Sequence, residues 1–211
     1  MQLFPRSLNY LPLLVALAAM LGGAGLTFAV WYYGSPWNTQ VGYAPVQPVP
    51  YSHKLHAGEM GIDCRYCHAN IERSQEAMIP PTQTCMGCHS VIKTDSVRLK
   101  PVRESWAEDK PLEWVRIHKL PEHAYFDHSV HLAVGVGCTS CHGRVDQMEV
   151  VRQDQPLSMS WCLDCHRDPG KHLRPKDQIT NMAWKPPTEE AELIARAKEV
   201  NPPQHCSGCH R

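Results

Sequence analysis

Phenylalanine is almost missing from this chain, with three residues in 211 set against eighteen prolines. So few large apolar side chains among so many helix breakers exclude an ordinary side-chain core. An excess of charge of either sign is missing as well. Lys plus Arg and Asp plus Glu each come to 21, so the formal net charge is zero and no nucleic-acid partner is suggested. The third absence is cysteine outside one pattern, since all ten cysteines fall into the same five-residue motif.

That motif is C-x-x-C-H, present as Cys64-Arg65-Tyr66-Cys67-His68, Cys85-Met86-Gly87-Cys88-His89, Cys138-Thr139-Ser140-Cys141-His142, Cys162-Leu163-Asp164-Cys165-His166 and Cys206-Ser207-Gly208-Cys209-His210. Its two thiols can bond covalently to a haem while the adjacent histidine binds the iron. A single copy is equally a redox pair or half a zinc site. Five copies that consume every cysteine are neither, and five local disulfides would give the repeated histidine no reason. The expected cofactors are therefore five haem c, with His68, His89, His142, His166 and His210 as proximal ligands. Setting aside the N-terminal segment leaves about 34 residues per haem, far below the size at which a core stands alone. The haems would be the core, and their roughly ten propionates would engage Arg and Lys side chains. The fold expected is that of a multihaem cytochrome c, mostly irregular with short α-helices packed around haems, plus one N-terminal transmembrane helix.

Leu11 to Tyr33 carries no charged residue over 23 positions, enough to span a bilayer. Trp31, Tyr32 and Tyr33 suit the membrane interface, with Trp37 just beyond. Length and aromatic end favour a retained anchor over a cleaved signal peptide. Arg6 alone precedes the span as a basic residue, so orientation rests on the cofactor: attachment to C-x-x-C-H takes place outside the cytoplasm. The expected location is the cytoplasmic (inner) membrane, single-pass, with the body on the periplasmic or extracytoplasmic side. Ala18 with Gly22 and Ala19 with Gly23 have small-xxx-small spacing, which lets another helix approach, although small residues are common in membrane helices anyway.

Gly34 to Pro50, rich in Pro, Gly and polar residues, reads as an extended tether. An internal repeat follows: Tyr51-Ser52-His53-Lys54-Leu55-His56 recurs 75 residues later as Phe126-Asp127-His128-Ser129-Val130-His131. Each copy precedes two C-x-x-C-H motifs. The division expected is 1–40, anchor and start of the tether; 41–105, a module with two haems; and 106–211, a module with three. Ser90 to Leu120 reads as a partly helical linker. Thr188 to Val200 reads as a helix, with Thr188 as N-cap, Glu189 and Glu190 at its positive end, Arg196 and Lys198 at its negative end, and Leu193, Ile194, Ala197 and Val200 near one face. Pro202 and Pro203 stop it.

Eight histidines remain for five distal places: His53, His56, His118, His123, His128, His131, His172 and His205. An aromatic-x-His-x-x-His unit suits two ligands for different haems, because residues three apart share a face yet reach separated spots. The repeated unit resembles small class III multihaem cytochromes c. That resemblance implies His53 on the haem of Cys64/Cys67 and His56 on that of Cys85/Cys88. His128 and His131 would likewise serve the haems of Cys138/Cys141 and Cys162/Cys165. For the fifth haem His172 and His118 are contenders, with Met182 as a thioether alternative. His123 and His205 are read as surface residues.

More specific flanks are Val41-Gly42-Tyr43 to Gln47-Pro48-Val49-Pro50, Asp63 before Cys64, Pro80-Pro81-Thr82 before Cys85, Gly143-Arg144-Val145-Asp146-Gln147-Met148, and Met159-Ser160-Trp161 before Cys162. With them the whole chain resembles the pentahaem membrane-anchored subunit of alternative complex III, a bacterial quinol-oxidising assembly. The resemblance implies partners: an iron–sulfur subunit, integral quinone-site subunits and a monohaem cytochrome c, with no small-molecule substrate bound directly. If every iron has two protein ligands, none is open to substrate, and the expected role is an electron wire rather than an enzyme. One alternative is a stand-alone quinol dehydrogenase, whose quinone pocket would need another subunit because the span's apolar part holds no ionisable residue. A multihaem reductase would need an open iron. Enzymes resembling pentahaem nitrite reductases mark it with lysine in place of the motif histidine, and no C-x-x-C-K occurs.

Overall fold

Secondary structure is helical in the computed structural model, which describes residues 4–185 and 190–211; among those residues there is no strand, only isolated bridges between Ala124 and His210 and between Val136 and Leu173. Two units separate, the first ending at Gln40 and the second being Val41–Arg211.

In the first unit a 3-10 turn, Arg6–Tyr10, leads into α1, Leu11–Gly34. Pro12 sits in its first turn, where a missing N–H leaves nothing unpaired. The stretch Arg6–Gly34 is long and apolar enough to cross a membrane. The Thr27 hydroxyl donates to the Gly23 carbonyl at 2.9 Å, so that polar group is satisfied within the helix. The expected tether is not extended at its start. Pro36 opens another short helix, α2, Pro36–Thr39, and Gln40 ends it in the left-handed region at φ 57°.

The second unit contains α3, Cys64–Cys67; α4, Thr82–His89; α5, Lys100–Glu108; α6, His128–Ala133; α7, Thr139–His142; α8, Met159–Arg167; and α9, Glu190–Lys198. A wide π-type turn spans Lys54–Glu59, and a 3-10 turn spans Cys206–Gly208. Side-chain caps start three of the helices, with the Asp63 carboxylate accepting from Arg65 N, the Asp127 carboxylate from Ser129 N and the Ser158 hydroxyl from Trp161 N. Asp63 also holds the Arg65 guanidinium at 2.9 Å, and that partner keeps its carboxyl down at about 2.

Apolar burial is sparse. Among the described residues it comprises Val49, Val102, Leu132, Val136, Met148, Leu173 and Ile179. Val102, 2% exposed, lies on α5 inside the expected linker, and α5 packs on α4. That segment is therefore a packed element, not merely a connection. The expected modules, 41–105 and 106–211, both lie in the second unit and are hydrogen bonded to each other: Gln153 N to Tyr43 O at 3.0 Å, Lys54 N to Met148 O at 3.0 Å, and Thr180 Oγ1 to Asp63 Oδ2 at 2.8 Å. On α9, Thr188 and Glu189 lie outside the described residues, as does the Leu193 side chain. Arg196 holds Glu192 at 2.7 Å and donates to the Leu173 carbonyl at 3.2 Å, which fixes the helix to the body. Ile194, expected on its inner face, is 48% exposed.

Val102→Ala is expected to lower stability by about 2 kcal/mol through the cavity it leaves. Thermal unfolding followed in the haem absorption band checks this, and an unchanged midpoint would show that α5 contributes no packing.

Candidate functional site

Each C-x-x-C-H motif lies on a helical turn. The N–H of the motif histidine donates to the carbonyl of the first cysteine in three of them, His68 to Cys64 at 2.9 Å, His142 to Cys138 at 3.0 Å and His210 to Cys206 at 2.9 Å. The second and fourth motifs end α4 and α8. A turn of this kind puts residues three and four apart on one face, so both sulfurs and the imidazole emerge together. None of the ten cysteines is paired with another as a disulfide in the structure. Among the described residues no three His, Cys, Asp or Glu side chains converge as a zinc site requires. Gly143 follows the third motif at φ +64°, where a Cβ would meet the Asp154 carboxylate at 2.5 Å; only glycine suits that place.

The imidazoles share a second feature. Nδ1 donates to a backbone carbonyl in His56 (Ser52, 2.9 Å), His68 (Met78, 2.7 Å), His89 (Ile92, 3.0 Å), His128 (Gln75, 2.8 Å), His131 (Asp127, 2.7 Å), His166 (Pro203, 2.7 Å) and His210 (His123, 3.2 Å). A proton fixed on Nδ1 leaves Nε2 as a bare lone pair, the state in which imidazole binds a metal. In the eighth, His142, Nδ1 lies 3.3 Å from Nε2 of His118. Nδ1 of His53 is buried without a partner.

Three pairs of these rings have matching separations: His56 and His89 at 6.2 Å, His128 and His142 at 6.3 Å, and His131 and His166 at 6.2 Å between centroids. A metal–imidazole bond is about 2 Å, so two rings flanking one ion stand about 6 Å apart. The chain thus offers spaces that fit an iron between two imidazoles. Burial pushes His53 down to about 4, helped by nearby His68 and His56. Burial also pushes His142 down to about 3, with His118, His128, His68 and His53 around it. Both are neutral at neutral pH, as ligands must be.

The sequence repeat survives in space. The Tyr51 ring lies 4.8 Å from His53, nearly perpendicular, and stacks on His56 at 4.5 Å. Phe126 does the same to His128 at 4.7 Å and His131 at 4.6 Å. In both copies the second histidine donates to the carbonyl four residues before it.

Around the fifth motif the arrangement differs. His123 is exposed, and its ring lies 5.6 Å from His210. Its carbonyl accepts the Nδ1 proton of His210 at 3.2 Å, so the peptide of His123 lies on the non-ligating side of that ring. A positioning carbonyl is a role that residue type cannot reveal. His118 sits against His142, perpendicular at 4.4 Å, rather than against His210. His172 is half-buried on the 3-10 turn Gly170–His172, and burial lowers its pKa, with Lys171 contributing. His205 is exposed.

The motifs also touch in sequence-independent order. Gly87 of the second faces the Tyr66 hydroxyl of the first, where an added Cβ would stand 3.8 Å from it. Asp63, beside the first, accepts from Thr180, whose neighbour Ile179 accepts from Cys138 N of the third at 3.2 Å. One turn of α6 places His128 at the third motif's His142 and His131 at the fourth's His166. His166 then donates to Pro203, three residues before the fifth motif. These contacts link the second motif to the first, the first to the third, the third to the fourth and the fourth to the fifth.

Residues 124–211 match the family described as cytochrome c7 and related cytochrome c. The chain is also 27% identical over 165 residues, 78% of its own length and 67% of the relative's, to the menaquinone reductase multihaem cytochrome c subunit of Nitratidesulfovibrio vulgaris. Both findings agree with a fold of the multihaem cytochrome c type, helical and without strands among the described residues.

His53→Ala and His56→Ala are each expected to turn one ferric haem high-spin, and the double variant two. Low-temperature EPR counts them. A double variant with a single high-spin haem would mean that the pair serves one iron.

Proposed function

We propose that this chain is the electron-transfer subunit of a membrane quinol-oxidising complex of the alternative complex III kind, holding five haem c in one row. The observation that supports it best is the set of three histidine pairs at 6.2–6.3 Å, each with Nδ1 engaged elsewhere. When bound, each haem supplies reversible one-electron exchange at its iron.

The residues do the rest. Cys64, Cys67, Cys85, Cys88, Cys138, Cys141, Cys162, Cys165, Cys206 and Cys209 anchor the groups covalently. The proximal ligands are His68, His89, His142, His166 and His210, with His53, His56, His128 and His131 opposite the first four. For the fifth we assign His172, the histidine contender left once Nε2 of His118 is engaged with His142. Two protein ligands per iron exclude water and small anions from the metal, so the chain binds no substrate of its own.

The row has two ends, and the cysteines that are exposed, Cys88 and Cys206, belong to its terminal motifs. Donor and acceptor subunits meet the chain there. The partners are an iron–sulfur subunit, integral quinone-site subunits and a monohaem cytochrome c, and the anchor α1 holds the haem unit on the periplasmic side. Similarity to a subunit of a menaquinone reductase supports a quinone-linked membrane assembly.

Purified protein examined by low-temperature EPR is expected to show low-spin ferric haem throughout, unchanged by nitrite or cyanide. A high-spin fraction that binds either ligand would refute the wire. Gentle detergent extraction should bring the named partners with the chain; quinol oxidation by the chain purified alone would favour the stand-alone dehydrogenase.

A further inference from the structure

Among the motif histidines, one has its Nδ1 against a side chain instead of a backbone carbonyl. His142, in the middle of the row, faces His118 Nε2 at 3.3 Å, the rings perpendicular with centroids 4.4 Å apart. We propose that His118 is a positioning residue for the third haem: its imidazole accepts the His142 proton, sets the ring's rotation and raises its electron donation to the iron. The proposal rests on the reading of His142 as an iron ligand through Nε2.

The chemistry follows from that reading. With Nε2 of His142 given to iron, its proton sits on Nδ1, so His142 donates and Nε2 of His118 accepts. The proton of His118 is then on its own Nδ1. A hydrogen bond from the non-ligating nitrogen makes the ligand more basic, which stabilises ferric iron and lowers the reduction potential.

His118 is also held for the task. It ends a strap that Gln47 grips at both backbone groups of one residue, Nε2 donating to Val115 O at 2.8 Å and Oε1 accepting from Val115 N at 2.9 Å. Arg116 closes the strap, with Nε donating to His118 O at 3.1 Å and a guanidinium nitrogen 3.5 Å from Glu76. Neither tether would be needed for a surface histidine. The strap therefore brings residues from both halves of the chain behind one ligand.

The test uses the full, haem-loaded protein with His118→Leu and His118→Gln, read by potentiometric titration and EPR. His118→Leu is expected to move one reduction step of five to higher potential while four stay in place and every haem remains low-spin. His118→Gln, whose amide oxygen accepts the same proton, is expected to return that step toward its original position. His118→Phe replaces the leucine variant should that one fail to mature. A high-spin haem in the acceptor-free variants would make His118 an axial ligand and overturn the proposal, as would five unmoved steps. Whether His142 itself ligates is tested separately, since its loss as a ligand would already show as a high-spin haem in the unmodified protein.

Discussion

An imidazole that binds iron through Nε2 must keep its proton on Nδ1, and inside a protein that proton needs an acceptor. The rest of this structure follows from meeting that requirement many times in a short chain. Seven of the acceptors are backbone carbonyls, of Ser52, Gln75, Met78, Ile92, Asp127, His123 and Pro203. A carbonyl in the middle of a helix or sheet already has a partner. Irregular chain therefore serves the ligands directly, because it leaves carbonyls free. Prolines help in the same sense: two residues after Met78 come Pro80 and then Pro81, whose nitrogens have no hydrogen to compete.

The same economy shapes the packing. With seven buried apolar side chains among the described residues, the second unit has no interior of the usual kind. What joins its halves is polar: the backbone hydrogen bond from Gln153 N to Tyr43 O, the Thr180 hydroxyl on Asp63, and the Gln47 amide on Val115. These contacts hold the attachment motifs in a row whose middle member is its most enclosed, burial pushing the Cys141 thiol up to about 12. Covalent attachment then makes the groups themselves part of the fold.

Much of the site could be read from the letters. The cysteines and proximal histidines have fixed spacing, and the aromatic-x-His-x-x-His unit announces itself by recurring, with Tyr51 and Phe126 now seen to lie on the same two rings. What could not be read is the support behind the ligands. Backbone carbonyls have no residue signature, and they arrive from three to 87 residues away. His123 is thus a holder of His210 by its peptide oxygen, and His118 meets His142 because a distant glutamine fixes its strap. The segment 90–120 reads as a partly helical linker, yet Val102 on α5 is among the most enclosed side chains of the described residues. Gly34 to Pro50 reads as an extended tether, but Pro36 in the first turn of a helix is a starter.

Intact-mass spectrometry of the purified chain tests the central claim most directly. The account predicts a single species heavier than the bare polypeptide by five haems, with no free thiol. A species carrying fewer haems, with a cysteine pair open to alkylation, would contradict it.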